Sequence, residues 1–210
     1  MAYGILASNS NSGLDSELQC VFATPLVIKS NQPAYVQDAL NLKRRAASQN
    51  VQRWEIEAKL SPTNNRANFL THSVMNGYST VIYVRMPQPY GIAVSSSDLF
   101  DVANGVAAGS SEFQTLYNHA QGRLKVGEFI RFAGHSKVYL VVKVGPWQGS
   151  GADAATVFPP LVKDIVGNEV IFVDKKVTMY AHYESDTQLG ITYVDGILSD
   201  PGSIKLIEAL

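Results

Sequence analysis

Glu55 and Glu57 are the first residues to weigh for chemistry. On a strand they share one face, roughly 6–7 Å apart, a spacing that a pair of catalytic carboxylates also uses. Arg53 and Lys59 flank them on that face, so the expected outcome is a mutually neutralising charge ladder with ordinary ionisation. The four histidines, His72, His119, His135 and His182, are too far apart in sequence to form a recognisable metal pair. No Cys-x-x-Cys and no His-Glu-x-x-His is present, and structural or surface roles are expected. Cys20 lies in the apolar run Leu18-Gln19-Cys20-Val21-Phe22 with no base beside it, which predicts a small buried hydrophobe rather than a nucleophile. Gly145 to Gly151 follows a strand but lacks the Gly-Lys-Ser/Thr ending and the helix start that a phosphate loop needs. No Gly-x-Ser-x-Gly elbow occurs. Catalytic, cofactor-binding and metal-binding residues are therefore all expected to be none, and the chain is not expected to be an enzyme. Two features remain as a possible interaction surface. Trp147 sits between Gly and Pro residues on a loop, either tucked onto the sheet or offered to a partner. Lys43, Arg44 and Arg45 form a basic run, read as a solvated loop in preference to a phosphate clamp.

The elements that must carry these residues are strands. From Arg53 to Leu60 every second residue is apolar (Trp54, Ile56, Ala58, Leu60) and every residue between is charged. That alternation gives one dry and one wet face, suiting an antiparallel sheet with one side in water. Further strands are expected near 21–29, with Pro25 marking an interruption at a sheet edge, and at 81–86, 113–118, 125–132, 137–144, 155–158, 169–173 and 176–184. Residues 34–42 fit a short helix or a strand. The spacing of Phe69, Leu70, Ser73 and Val74, with Asn64 or Asn65 before and Gly77 after, predicts one α-helix over 66–76. Short strands punctuated by glycine suggest a small barrel or sandwich. The fold class is thus mainly β, α+β at most. The boundary falls near Pro87–Gly91: a β-rich part with one helix over 1–90, and a small barrel or sandwich over 91–210, the two able to pack as one unit.

Bulk properties narrow the function classes. At 210 residues the chain is long enough for a substantial core. Its net charge of −1 argues against a dominant nucleic-acid role, which calls for a basic face. Charged residues make up 17% of the chain, below the usual quarter or so, consistent with surface covered by other subunits. The single cysteine excludes an internal disulfide and fits a reducing compartment. Neither a leader-like N-terminus nor an apolar run of about 20 residues is seen. The Ser/Asn/Gly-rich segment at 8–13 reads as an arm or loop.

Several pieces, in order, resemble tail structural proteins of tailed bacteriophages, of the distal-tail or baseplate type. They are Gln52-Arg53-Trp54-Glu55-Ile56 with Leu60-Ser61-Pro62, the 66–76 segment closed by Gly77, and Tyr83-Val84-Arg85-Met86-Pro87. The run Gly122 to Phe132 follows, with Lys137-Val138-Tyr139-Leu140-Val141, Phe158-Pro159-Pro160-Leu161 and Val177-Thr178-Met179-Tyr180. The resemblance spans roughly 50–184 and leaves 89–111 and the tail from Asp186 unmatched. It implies a ring-forming adaptor between tail tube and tip, baseplate or fibres, assembled in the host bacterial cytoplasm and residing in the virion. Its implied partners are copies of itself, as a hexamer or alternatively a trimer, and the tube, hub, tape-measure and fibre proteins. The termini and the 145–154 loop are expected to contact neighbours. The residues themselves leave a second reading open, a small β-barrel carbohydrate-binding module with Trp147, Tyr180 and Tyr183 as stacking platforms.

Overall fold

The structure is a computed structural model. It describes residues 3–6, 18–38, 44–48, 51–61, 80–88, 100–116, 124–145, 152–184, 192–194, 198–200 and 202–210. These residues form two closed six-stranded antiparallel barrels and two hairpins. In chain order the strands are β1 (Gly4–Leu6), β2 (Leu18–Asn31), β3 (Ala34–Asp38), β4 (Arg44–Ser48), β5 (Arg53–Leu60) and β6 (Ile82–Arg85). Then come β7 (Phe100–Val102), β8 (Glu112–Leu116), β9 (Phe129–Phe132), β10 (Tyr139–Val144), β11 (Ala152–Phe158) and β12 (Val170–Phe172). The last four are β13 (Thr178–Tyr183), β14 (Thr192–Val194), β15 (Leu198–Asp200) and β16 (Ser203–Glu208).

The first barrel closes in the order β1-β2-β5-β16-β13-β6, the second as β10-β11-β8-β7-β12-β9. The second barrel is spliced between β6 and β13, which pair directly with one another (Ile82 opposite Ala181, Arg85 opposite Thr178). The chain therefore leaves the first barrel and returns to it on adjacent strands. A cut near residue 90 marks only the first of these crossings. The 91–210 part holds the whole second barrel and also β13 and β16, without which the first cannot close. The C-terminal tail that matched no pattern thus supplies an internal strand of the first barrel.

Alternation builds both cores. Along β5 the apolar residues Trp54, Ile56, Ala58 and Leu60 are buried, while the charged residues between them reach solvent. They meet Ile5, Val84, Met179 and Leu206 inside the first barrel. The second barrel is filled by Phe100, Phe113, Phe132, Val141 and Ile171, with Phe113 edge-on to Phe132 at 5.1 Å between centroids. A side chain of this kind contributes about 1.5–3 kcal/mol when buried. Closure leaves neither barrel a free edge.

Local expectations fare unevenly. Pro25 does not end a strand at a sheet edge. β2 runs through it, and Ala23 pairs with Lys59 and Leu26 with Ala58, so Thr24 and Pro25 bulge out of the ladder. The bulge removes the need for the N–H that proline lacks. Residues 34–38 are strand. The 145–154 loop is shorter than expected, since residues 152–154 belong to β11 and pair with β8. The helix expected over 66–76 lies outside the described residues. Among those residues the one helical element is a single 3₁₀ turn, Asp174–Lys176. Gly127 sits at φ 92° in the turn before β9, a conformation open to glycine and strained for other residues.

Candidate functional site

Of the interaction residues expected from sequence, Arg44 and Arg45 fall on the β3–β4 hairpin. Arg44 and Arg45 open β4, where they lie opposite Asp38 and Gln37 of β3. Arg44 and Arg45 are thus strand residues where the sequence suggested a loop. Lys43 and Trp147 lie outside the described residues.

Connectivity fixes where the two hairpins emerge. β3–β4 links the end of β2 to the start of β5. That is the same barrel end at which β6 hands over to the second barrel, because Asn31 pairs with Arg53 there. β14–β15 links the end of β13 to the start of β16, where Ser203 pairs with Lys59, at the opposite end. Neither hairpin joins the sheet of either barrel.

The charged face of β5 is a ladder. Glu57 accepts a hydrogen bond from Lys29 Nζ at 2.5 Å, which holds its carboxyl below the usual range. Glu55 accepts from Asn31 Nδ2 at 2.5 Å. A carboxyl held ionised is a poor proton donor at neutral pH, so this pair is not arranged as a general acid and its partner. Cys20 is buried, and burial pushes its thiol up to about 11, far from a reactive thiolate. His135 is buried, with Nδ1 2.8 Å from the Tyr139 hydroxyl and Nε2 3.4 Å from the Asp164 carbonyl. The Tyr139 hydroxyl also accepts from Val162 N–H at 3.2 Å. Tyr139 thus buries its ring while its hydroxyl is bonded. His72 and His119 lie outside the described residues. Among the described residues no group of three or more His, Cys, Asp or Glu side chains could hold a metal ion.

Of the three expected stacking residues, Tyr180 and Tyr183 are described and Trp147 lies outside the described residues. Tyr183 is buried in the first core, and Tyr180 stacks edge-on against Tyr83 at 5.1 Å with the Arg131 guanidinium 5.1 Å from its ring. Arg131 is itself buried and lies 4.6 Å from the Phe172 ring on its other contact. Tyr183 is thus committed to packing, while Tyr180 is half-buried between Tyr83 and Arg131.

The most concentrated polar chemistry lies where the barrels meet, in residues that sequence reading did not single out. Glu208, the last residue of β16, and Lys137, from the turn between β9 and β10, form a fully buried ion pair. Glu208 Oε2 accepts from Lys137 Nζ and from Trp54 N–H (3.1 Å), and Oε1 accepts from Val138 N–H (2.8 Å). Lys137 Nζ also donates to the Gln52 carbonyl at 2.8 Å. Burial pushes the Lys137 ammonium down and the Glu208 carboxyl up, in each case against the partner's charge. Desolvation thus outweighs attraction in this pair.

Around it the two cores merge. Trp54 donates its indole N–H to the Val138 carbonyl at 2.8 Å and packs edge-on to Phe129 at 5.2 Å between centroids. Phe129 and Val138 belong to the first barrel's core cluster although the second barrel carries them. Gln88, just after β6, clamps Phe129 from both sides, accepting its N–H and donating to its carbonyl, each at 2.9 Å. The site as a whole is a joint between two closed barrels, with one hairpin connected at the same end of the first barrel and the other at the far end. No protein-family model matches this chain, and no curated protein sequence matches it.

Proposed function

We propose that this chain is a non-enzymatic structural component of a phage tail, a ring-forming adaptor of the distal-tail or baseplate type. The observation that carries the reading is the pair of hairpins at opposite ends of the first barrel, β3–β4 and β14–β15, which belong to neither barrel. A closed barrel has no edge to offer a neighbour, whereas a free-standing hairpin has two and gains most by pairing with or lying across another chain. The merged core supports the same reading. A subunit that closes a ring by repeated heterologous contacts needs its parts at a fixed angle, and the joint at Lys137–Glu208, Trp54 and Gln88 suits that need. The order of sequence pieces from Gln52 to Tyr180 adds the resemblance to tail proteins. A six-membered ring is the expected closure, with a three-membered ring as the alternative.

Size-exclusion chromatography with light scattering on the purified chain, together with mass spectrometry of purified particles, tests this. A hexamer or trimer in solution, or a stoichiometric presence in tails, is expected. A strict monomer at high concentration that is absent from particles overturns it.

A further inference from the structure

We propose that the two hairpins are the two halves of one contact between copies of this chain: the acidic β14–β15 segment of one copy pairs edge to edge with the basic β3–β4 segment of the next. This contact is how the ring proposed above closes, and it rests on that reading.

A net charge of −1 gives two copies no overall attraction, but the charge is unevenly placed. Between Ser30 and Arg53 the sequence holds Lys43, Arg44, Arg45 and Arg53 against the single acid Asp38. Between Ser185 and Gly202 it holds Asp186, Asp195 and Asp200 and no lysine, arginine or histidine. Charges beside these segments on the barrel wall pair locally, Lys29 with Glu57 at 2.5 Å and Lys205 with Glu184 at 3.3 Å. A surplus of each sign is thus left to one hairpin segment.

The two roots stand at opposite ends of the first barrel, where Asn31 pairs with Arg53 and Ser203 with Lys59. From Arg53 to Lys59 along β5 is about 20 Å at the rise of a strand, more than twice the screening length of about 8 Å at physiological ionic strength. At that separation the roots exchange no appreciable attraction within one copy. Opposite signs at opposite ends meet when copies follow one another head to tail, the heterologous arrangement that closes a ring. Both roots are open to a neighbour: Lys29 to Ala34 are exposed at one, and Ser203 at the other.

The backbone supplies the second half of the attraction. A two-stranded hairpin is marginal by itself, and further strands remove the deficit. β4 and β15 each run from hairpin tip to root. Hairpins that approach from facing copies overlap tip to root, so these two strands run antiparallel and their free edges can form a ladder. In that register Arg44 stands opposite Asp200 and Ala46 opposite Leu198. Opposite charges across such a pair stabilise it, and like charges destabilise it.

Light scattering tests the contact on the parent, on Arg44→Glu/Arg45→Glu, on Asp195→Lys/Asp200→Lys, and on the chain carrying all four substitutions. The parent is expected to associate, and to associate less as sodium chloride rises from about 50 mM to about 500 mM. Each double variant is expected to raise the dissociation constant about tenfold or more. The fourfold variant is expected to assemble again, because both signs are exchanged. An equimolar mixture of the two double variants recovers by alternation, which closes a six-membered ring and leaves a three-membered one open. A variant that merely misfolds is not rescued by reversing the other hairpin, so recovery separates the contact from a structural effect. Double variants that associate as the parent does, or that dissociate without recovery in the fourfold chain, overturn the proposal. In either case an oligomeric parent leaves the ring-forming reading standing, whereas a strictly monomeric parent overturns both.

Discussion

Removing one member of the Lys137–Glu208 pair is the sharpest test of how the two barrels are held together. Both side chains are fully buried, and each is pushed towards its neutral form by burial. Lys137→Met leaves the Glu208 charge with only the Trp54 and Val138 N–H groups as donors. Glu208→Gln leaves a buried ammonium facing an amide and the Gln52 carbonyl. An uncompensated buried charge of this kind costs about 3–5 kcal/mol, so each single variant is expected to lose that much in urea denaturation. The double variant carries no charge. One N–H of the former Glu208 pocket and the Gln52 carbonyl stay unsatisfied, at about 1–3 kcal/mol each. It is therefore expected to lie about 2–6 kcal/mol below the parent, against a sum of about 6–10 kcal/mol for the singles, which is a coupling of about 4 kcal/mol at the centre of the two ranges. Because the cores merge at Trp54 and Phe129, the parent should unfold in one transition. The singles should separate into two as the barrels uncouple. Single variants within about 0.5 kcal/mol of the parent, a range typical of unengaged surface positions, or strictly additive losses, would refute the reasoning.

Two further outcomes follow from the first barrel. Cys20, buried and with its thiol raised to about 11, should resist a thiol-specific reagent at pH 8 and react only at the rate of unfolding, which a stopped-flow comparison in increasing urea measures. Gly4 lies so close to β2 that a Cβ there would stand 1.9 Å from the Cys20 carbonyl oxygen. Gly4→Ala must therefore part β1 from β2, and a loss of more than about 2 kcal/mol is expected by thermal denaturation. A loss below about 0.5 kcal/mol would mean that β1 adapts freely.

The strands were legible because their signal is local. Period-two alternation across 53–60 names both faces of β5, and glycine punctuation places most strands of the second barrel within a few residues. Closure was not legible, since it depends on β16, whose run Ser203-Ile204-Lys205-Leu206-Ile207-Glu208 pairs with residues some 150 positions earlier. Even so, this run carries a clue. Ile204 and Leu206 face inwards, and the same alternation sends Glu208 inwards too. An acid on a dry face demands a buried partner. Lys137 had no comparable signature, because turn residues have no period to violate. Gln88 was equally silent, as it acquires its role only when the return turn and the second barrel are brought against it.

The placement of these contacts bears on how the second barrel is held against the first. β6 and β13 are adjacent in the first barrel, so the two crossings into the second barrel stand about one strand spacing apart, roughly 5 Å. Two chains that close together define a hinge, free to swing about the line joining them. Gln88 stiffens that line but lies on it. The Lys137–Glu208 pair and the Trp54 indole act on β16 and β5, which follow β13 around the barrel wall. A third contact away from a hinge line removes the remaining freedom, much as a latch does for a door. This accounts for a costly ion pair being placed where a hydrophobic contact would serve for stability alone. Glu208 accepts two backbone N–H groups, from Trp54 and Val138, as well as the lysine, and so fixes direction as well as distance. Under the ring-forming function proposed above, that direction must be fixed, because a small error in angle accumulates at each copy and prevents closure.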